Sequence, residues 1–104
     1  SILRMELFGP VTILIRASSF DEAISIANDS EYGLTAAIHT TNISLAMQFA
    51  NRIEAGIVSI NAGTYGSEPH MPFGGQKASG NGTREPGMEA LDIYSQIKNI
   101  IVNY

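Results

Sequence analysis

The residues best suited to chemistry lie in one glycine-rich run, residues 68–87 (EPHMPFGGQKASGNGTREPG). This run combines prolines and glycines with the aromatic Phe73, the cationic Lys77 and the adjacent pair Arg84 and Glu85. Flexible linkers are usually rich in Gly, Ser or Pro and carry few such side chains. Ordered loops on a rigid scaffold are where binding and catalytic residues concentrate. We therefore expect a functional loop here rather than a linker.

Several common kinds of site are not indicated. The sequence contains no cysteine, so it offers neither a thiol nucleophile nor a disulfide. His39 and His70 are far apart and have no cysteine between them, so no metal site is indicated. The GNGTRE segment lacks the third glycine of a dinucleotide-binding fingerprint and follows a loop rather than a strand. Serine, histidine and aspartate all occur, but their presence alone does not define a catalytic triad.

The composition limits the class of protein. A length of 104 residues with 44% apolar residues indicates one small globular domain or a piece of a larger one. The net charge of −4 and the scattered Lys and Arg residues argue against nucleic-acid binding. No apolar run approaches the roughly 20 residues of a membrane-spanning helix, so no membrane partner is expected. The lack of disulfides fits a reducing compartment, and we expect a cytoplasmic protein.

Three strands and two helices are indicated in the first two-thirds of the chain. Short apolar or β-branched runs predict strands over residues 11–17, 34–40 and 57–61. Ser19 lies three positions before Glu22, the spacing of a capping box, and predicts the start of a helix.

A second helix is predicted between the second and third strands. Thr41 or Asn42 would cap it, residues 45–53 carry its apolar stripe, and Gly56 would end it. The resulting β-α-β-α-β order has connections of helical length, which parallel strands require. We therefore predict an α/β fold with a parallel sheet and helices packed on it.

The C-terminal residues are predicted to form a short helix, 88–96, and a last strand, 97–104. That strand is apolar on both faces and has no evident partner. An exposed strand edge can pair with another chain. Because the sheet is also thinly covered and the first residue is not methionine, we expect the end of a larger protein.

Four segments together resemble one known family. They are 6–11 (ELFGPV), 28–40 (NDSEYGLTAAIHT), 54–61 (EAGIVSIN) and 72–85 (PFGGQKASGNGTRE). In this order and spacing they are similar to the C-terminal part of an NAD(P)-dependent aldehyde dehydrogenase. The resemblance covers nearly the whole chain, and most of a family member would precede it.

The resemblance implies a division of the chain. Residues 1–87 would be the last part of the catalytic domain, including the Gly-rich loop 62–87. Residues 88–104 would be a terminal helix and an oligomerisation strand. That strand joins a sheet of a neighbouring subunit in the family, which implies a homo-oligomer formed through residues 97–104.

The resemblance also implies a reaction. In the family, a cysteine thiolate attacks the aldehyde, the thiohemiacetal gives a hydride to NAD or NADP, and water releases a carboxylic acid. The cysteine, the main general base and the dinucleotide-binding domain would lie upstream of Ser1, so this chain alone would be inactive. The alternative is a truncated, non-catalytic module that self-associates through its terminal strand.

The resemblance assigns cofactor-binding roles to three residues. Glu6 would accept hydrogen bonds from the nicotinamide ribose, Phe8 would pack beside the nicotinamide, and Leu34 would lie near it. A carboxylate has two acceptor oxygens, which suits a vicinal diol. Many family members have a second acid where Met5 stands. The alternative is that none of the three binds the cofactor: Glu6 would be a surface residue, Phe8 a core residue and Leu34 an ordinary strand residue.

Substrate-binding roles are expected for four residues after the third predicted strand. Asn61 follows its carboxyl end, where open α/β sheets bind ligands. By resemblance, residues 62–71 would form the substrate-facing loop, and Tyr65, His70 and Phe73 are the side chains large enough to line a tunnel there. His70 could instead be a solvated loop histidine.

Glu85 is the one catalytic residue that the resemblance suggests. It would sit behind the catalytic base and relay its proton, which would suit a buried carboxylate with a raised pKa. The alternative is a structural salt bridge to Lys77 or Arg84. Thr83 is an extra residue compared with the common G-x-G-R-E form, and it affects the register of Glu85.

Overall fold

The computed structural model describes residues 4–104 of the chain. Two longer helices, two parallel strands and three very short elements make up its regular structure. The elements are α1 (Phe20–Asn28), β1 (Tyr32–Gly33), β2 (Thr35–Ile38), α2 (Ile43–Arg52), β3 (Ile57–Ile60), β4 (Gln76–Lys77) and α3 (Ala90–Ile93).

Helix α1 begins at the predicted cap. The Ser19 hydroxyl accepts a hydrogen bond from the Glu22 N–H at 3.1 Å, which satisfies one of the free donors at the helix start. The Glu22 carboxylate does not reach back to Ser19. It accepts from the N–H and the hydroxyl of Ser18 instead, at 2.6 and 2.5 Å, and these bonds hold the pKa of Glu22 below its usual value.

Helix α2 begins at Asn42, the second of the two predicted caps. Its side chain accepts from the N–H groups of Ser44 and Leu45. The helix ends at Arg52, so the prediction that Gly56 ends it is wrong. Glycine is required at position 56 for another reason, because a Cβ there would lie 1.8 Å from the Gly74 carbonyl oxygen.

Strands β2 and β3 pair in parallel, with α2 as the crossover between them. Their register runs from Thr35 opposite Ile57 to Ile38 opposite Ile60. This confirms a β-α-β unit within the α/β class. Both strands are shorter than the predicted segments 34–40 and 57–61.

The predicted first strand, 11–17, does not form among the described residues, so the three-stranded sheet is not present there. Its apolar side chains are exposed, including Leu14 at 94%. A run that is apolar on both faces gains stability only when a neighbouring strand and a cover bury it. Within residues 4–104 no strand pairs with it.

A second, two-residue sheet joins β1 and β4 in antiparallel fashion, and the sequence does not indicate it. Tyr32 lies opposite Lys77 and Gly33 opposite Gln76. This pairing attaches the Gly-rich loop to the segment before β2.

The hydrophobic core joins both helices to the parallel strands. Ile24 of α1 and Phe49 of α2 are buried together with Ile53 and Ala55. The partly buried side chains packed against this cluster are Phe20, Ala36, Ile38 and Val58.

The C-terminal region is less regular than predicted. Only Ala90–Ile93 is helical within the predicted helix 88–96, and residues 97–104 form no strand. Ile97 and Ile101 are exposed, since no described strand pairs with this tail. The described part of the chain measures 70 × 33 × 23 Å, and its radius of gyration of 18.2 Å exceeds the roughly 13 Å of a compact 100-residue domain. None of the described helices is long and apolar enough to span a bilayer.

Candidate functional site

One cavity brings together residues from three separate parts of the chain. We call it the Glu6 cavity; its volume of about 300 Å³ lies at the lower end of the range for small-molecule sites. The residues lining it are Arg4, Met5, Glu6, Ser30, Tyr32, Leu34 and Ser79.

Long-range contacts hold the walls of this cavity in place. The Arg4 guanidinium pairs with the Asp29 carboxylate at 2.6 Å and so holds the segment before Glu6 near the end of α1. The Gly33 N–H donates to the Ser79 hydroxyl at 3.1 Å and links β1 to the Gly-rich loop. Gly33 is buried, and a Cβ there would lie 2.3 Å from the Glu54 carbonyl oxygen, so only glycine permits this close approach.

Two of the three predicted cofactor-binding residues meet in the Glu6 cavity. Glu6 and Leu34 both line it, although they are far apart in sequence. Among residues 4–104, no group donates a hydrogen bond to the Glu6 carboxylate. Phe8 does not line the cavity, and its side chain is 95% exposed.

The four predicted substrate-binding residues do not come together. Phe73 lines a second cavity of about 270 Å³, the Phe73 cavity, whose walls also include Val58 and Met71. Tyr65 is exposed and its ring lies against Gly63, where an added Cβ would be 2.2 Å from the ring. His70 is exposed and does not line the Phe73 cavity.

Asn61 uses its side chain to join the ends of the two parallel strands. Its Oδ1 accepts from the Thr40 N–H at 2.8 Å, and its Nδ2 donates to the Thr40 carbonyl oxygen at 3.0 Å. The residue adopts a left-handed backbone conformation with φ 56°, which asparagine tolerates better than most residues. Asn61 lines a third, wide cavity with His39 and Ile43, away from Phe73.

Glu85 is held by the backbone of Phe73 and touches one tyrosine. The N–H of each of these two residues donates to the carbonyl oxygen of the other at 3.1 Å. The Tyr94 hydroxyl donates to the Glu85 carboxylate at 3.1 Å. That hydrogen bond and the negative charge of Glu85 raise the pKa of Tyr94 above its usual value.

The environment of Glu85 differs from the two expected ones. Its side chain is exposed rather than buried, and it forms no salt bridge within the described chain. Lys77 pairs with Glu54 instead, and Arg84 donates to the Thr83 carbonyl oxygen.

Sequence reasoning missed Arg4 and Ser79 as parts of the Glu6 cavity. No local motif marks either residue, because each reaches the cavity through contacts with distant segments. The position of Ser79 within the Gly-rich loop was the only available signal. In the part of the chain that the structure describes, no cluster of His, Cys, Asp or Glu could hold a metal ion.

Comparison with known proteins identifies the family. The sequence model that describes the aldehyde dehydrogenase family matches residues 1–100 of this chain. The alpha-ketoglutaric semialdehyde dehydrogenase of Bacillus subtilis (strain 168) is 45% identical over 102 residues, which are 98% of this chain and 21% of that protein.

Solved structures agree with the sequence match. The NAD-dependent aldehyde dehydrogenase from Sinorhizobium meliloti superimposes with a TM-score of 0.88 at 43% identity, covering 94% of this chain and 19% of that one. A succinic semialdehyde dehydrogenase from Streptococcus pyogenes, in complex with NADP+ as the cofactor, gives 0.76 at 45% identity, covering 83% and 18%.

By these matches the chain is an α/β segment of a protein from an oxidoreductase family. The chain belongs to the aldehyde dehydrogenase family and spans about a fifth of the length of the relatives that it matches.

Proposed function

We propose that the chain is the C-terminal part of an enzyme that oxidises an aldehyde to a carboxylic acid with NAD or NADP. We call the longer protein the parent enzyme. The observation that carries the proposal is the convergence of Glu6 and Leu34, two distant residues, in one cavity of ligand size. The family match supports the same assignment.

The residues of the Glu6 cavity fit the nicotinamide-ribose part of such a cofactor. The two oxygens of the Glu6 carboxylate are acceptors for the two ribose hydroxyls. Leu34 and Tyr32 supply apolar surface beside them for a flat ring. When bound, the cofactor supplies the hydride acceptor. Phe8, exposed in this chain, would pack on the ring from the open side.

The sequence contains no cysteine, so the thiolate that would attack the aldehyde is assigned to another part of the parent enzyme. The main general base is assigned there too. What this chain would do is bind and orient the cofactor and form part of the wall on the substrate side. Its exposed Glu85 carboxylate could then exchange a proton with the base or with solvent, and the Phe73 backbone fixes its position.

The substrate would contact the Phe73 cavity. Its walls include Phe73, Met71 and Val58, and Glu68 adds one charged side chain. Tyr65 and His70 lie in the same loop and are exposed, so they are available to contact the substrate once the rest of the parent enzyme encloses it. Asn61 would support this region through its bonds to Thr40 rather than contact the substrate.

A second role, self-association, is favoured by one observation. The apolar side chains of the tail 97–104 are exposed and have no partner among the described residues. This tail would pair with a strand of a second copy and make the parent enzyme a homo-oligomer.

The cofactor assignment is tested by Glu6→Gln in the parent enzyme. Glutamine keeps the size of the side chain but replaces one acceptor oxygen and removes the charge. Because hydrogen bonds to charged groups contribute about 1.5–3 kcal/mol, we expect the KM for the cofactor to rise about tenfold or more. The KM for the aldehyde should change much less.

The matched control is Glu89→Gln, which removes an exposed carboxylate that does not line the Glu6 cavity. It should leave both KM values unchanged. Equal cofactor KM values for the Glu6→Gln and wild-type enzymes would contradict the assignment.

A further inference from the structure

All three donors of the Lys77 ammonium group are used by acceptors within the protein. Its Nζ donates to the carbonyl oxygens of Asn28 and Ser30 at 2.7 and 3.1 Å, and it pairs with the Glu54 carboxylate at 2.5 Å. A lysine ammonium has three donors, so these three acceptors use all of them. The group is therefore not available to bind a ligand directly.

The backbone of Lys77 is held as firmly as its side chain. Lys77 pairs with Tyr32 across the β1–β4 sheet, and the next N–H, of Ala78, donates to the Glu31 carbonyl oxygen at 2.9 Å. Lys77 nevertheless adopts a left-handed conformation with φ 51°. A non-glycine residue keeps such a conformation only where the surrounding contacts over-determine it, and such positions concentrate at functional sites.

The turn at residues 28–30 is the point on which several contacts converge. The Asn28 side chain donates to the Arg52 carbonyl oxygen and accepts from the Glu54 N–H, each at 2.9 Å. Asp29 pairs with Arg4, which lies two residues before Glu6. The turn is thus tied to the end of α2, to the segment that carries Glu6 and, through Lys77, to the Gly-rich loop.

The same turn leads directly into the walls of the Glu6 cavity. Ser30 lines the cavity, and Tyr32 and Leu34 follow it in the chain. Ser79 also lines it, lies two residues after Lys77 and accepts a hydrogen bond from the Gly33 N–H. Lys77 itself does not line the cavity. A change in how its ammonium holds the turn would therefore alter the positions of these lining residues without removing a ligand contact.

We propose that Lys77 is a positioning residue for cofactor binding: by holding the 28–30 turn against the Gly-rich loop, it acts together with the Gly33–Ser79 hydrogen bond to fix where the 30–34 segment and Ser79 line the Glu6 cavity. The proposal rests on the proposed function, because it assumes that the cofactor occupies this cavity. Binding sites depend on such supporting contacts to keep their walls in productive positions.

The test is Lys77→Met in the parent enzyme, which keeps the aliphatic stem and removes the three donors. We expect the KM for NAD(P)+ to rise about tenfold, with a much smaller change in the KM for the aldehyde. The conservative variant Lys77→Arg keeps the charge and should recover part of the loss.

The matched control is Arg52→Met. It also removes the cation of an ion pair, with Asp21 at 2.7 Å, and the contact of the guanidinium over the Phe20 ring at 5.5 Å. Arg52 does not line the Glu6 cavity. A general loss of stability would affect both variants, whereas a change confined to the cofactor KM should appear only in Lys77→Met.

A double-variant cycle with Arg4→Met gives a second readout. Because Arg4 and Lys77 act on the same turn, their effects on the cofactor KM should be non-additive, whereas those of Arg52→Met and Lys77→Met should add. If Lys77→Met does not fold, Glu54→Gln removes only the ion pair and should raise the cofactor KM about two- to fivefold, again without an equal effect on the aldehyde KM.

The outcomes separate the two proposals. If Glu6→Gln raises the cofactor KM but Lys77→Met raises it no more than Arg52→Met, the positioning role is wrong and the proposed function stands. If neither Glu6→Gln nor Lys77→Met raises the cofactor KM, the cofactor does not bind in this cavity and both proposals fail.

Discussion

Unused hydrogen-bonding capacity decides whether a polar side chain can bind a ligand, and Glu6 and Asn61 differ in this respect. The Glu6 carboxylate faces a cavity and accepts no hydrogen bond from residues 4–104. The Asn61 amide donates to and accepts from Thr40. Thr40 engages the Asn61 oxygen and one of the two amide N–H donors, which fixes the side chain between the strand ends. Asn61 is therefore better suited to hold these ends together than to bind substrate.

At the same scale, the contact between Glu85 and Tyr94 predicts a pH effect. The pKa of Tyr94 is raised because the neutral phenol donates to the Glu85 carboxylate, whose charge opposes a phenolate. A raised pKa in the folded state stabilises the fold below the unfolded tyrosine value of about 10, and this contribution is lost as the pH rises through the folded pKa.

We therefore expect Glu85→Gln to move the phenolate titration of Tyr94 to lower pH. The measurement is the ultraviolet difference spectrum of the variant against the wild-type chain. Glu89→Gln, whose carboxylate does not accept from a tyrosine, should leave the curve unchanged. Superimposable titrations of the wild-type and Glu85→Gln chains would show that the contact does not form in solution.

At the scale of elements, the β2-α2-β3 unit connects the Glu6 cavity and the Phe73 cavity along the chain. Its strands lead from Leu34, in the Glu6 cavity, to Asn61, after which the chain continues toward Phe73. The hydrogen bonds between Asn61 and Thr40 close the carboxyl end of this two-stranded sheet.

Replacing Asn61 by glycine tests this closure, because glycine accepts φ 56° without strain and removes only the side-chain bonds. Two hydrogen bonds contribute about 1–3 kcal/mol to local stability. Amide exchange in peptides that cover residues 35–40 of the parent enzyme should therefore be about 5- to 150-fold faster. Asn51→Gly, on the exposed side of α2, should not change exchange in β2. Unchanged exchange in Asn61→Gly would mean that the backbone ladder alone holds the strand ends.

How much of these elements is predictable depends on the range of the contacts that form them. Ser19 and Asn42 cap their helices through neighbours two or three residues away, so the sequence identifies Ser19 and narrows the second cap to Thr41 or Asn42. The 11–17 run satisfies every local criterion for a strand but has no described partner to pair with. Pairing is a property of the fold, which local patterns do not contain.

The residues of the candidate site likewise fall into those that the sequence predicts and those that it does not. Glu6 and Leu34 are expected from the resemblance, and the structure brings them to one cavity. Arg4, Ser79 and the three contacts of Lys77 depend on segments far away in the chain, so their spacing carries no signal. Phe8 and Tyr65 are exposed, so the contacts of residues 4–104 do not show what these side chains would bind.

At the scale of the whole molecule, the described chain buries little of its apolar surface. The buried hydrophobic side chains are Ile24, Ala46, Phe49, Ile53 and Ala55. Leu14, Ile97 and Ile101 are among the many large ones left exposed. The exposed apolar side chains cluster along the chain in residues 11–15 and 97–102. Large exposed apolar patches mark regions that contact other protein. We attribute residues 11–17 to contact with the rest of the parent enzyme and residues 97–104 to a partner subunit.

The tail assignment predicts that the isolated 104-residue chain self-associates at micromolar concentration. Ile100→Lys with Val102→Lys places two charges in the apolar tail, and the chain should then be monomeric in light scattering. Met47→Lys, at an exposed apolar position on α2, controls for a general effect of added charge. A wild-type chain that is monomeric at every concentration, or association that survives both tail substitutions, would contradict this assignment.

The central claim concerns where the chemistry lies, and the most direct measurement is aldehyde-dependent reduction of NAD+ and NADP+. It should be made with the parent enzyme and, in parallel, with the isolated chain, using aliphatic, aromatic and semialdehyde substrates. We predict that the parent enzyme reduces the cofactor with at least one aldehyde and that the isolated chain, which has no cysteine, reduces none. A parent enzyme that reduces neither cofactor with any aldehyde, or turnover by an isolated chain shown to be free of host enzymes, would contradict the account.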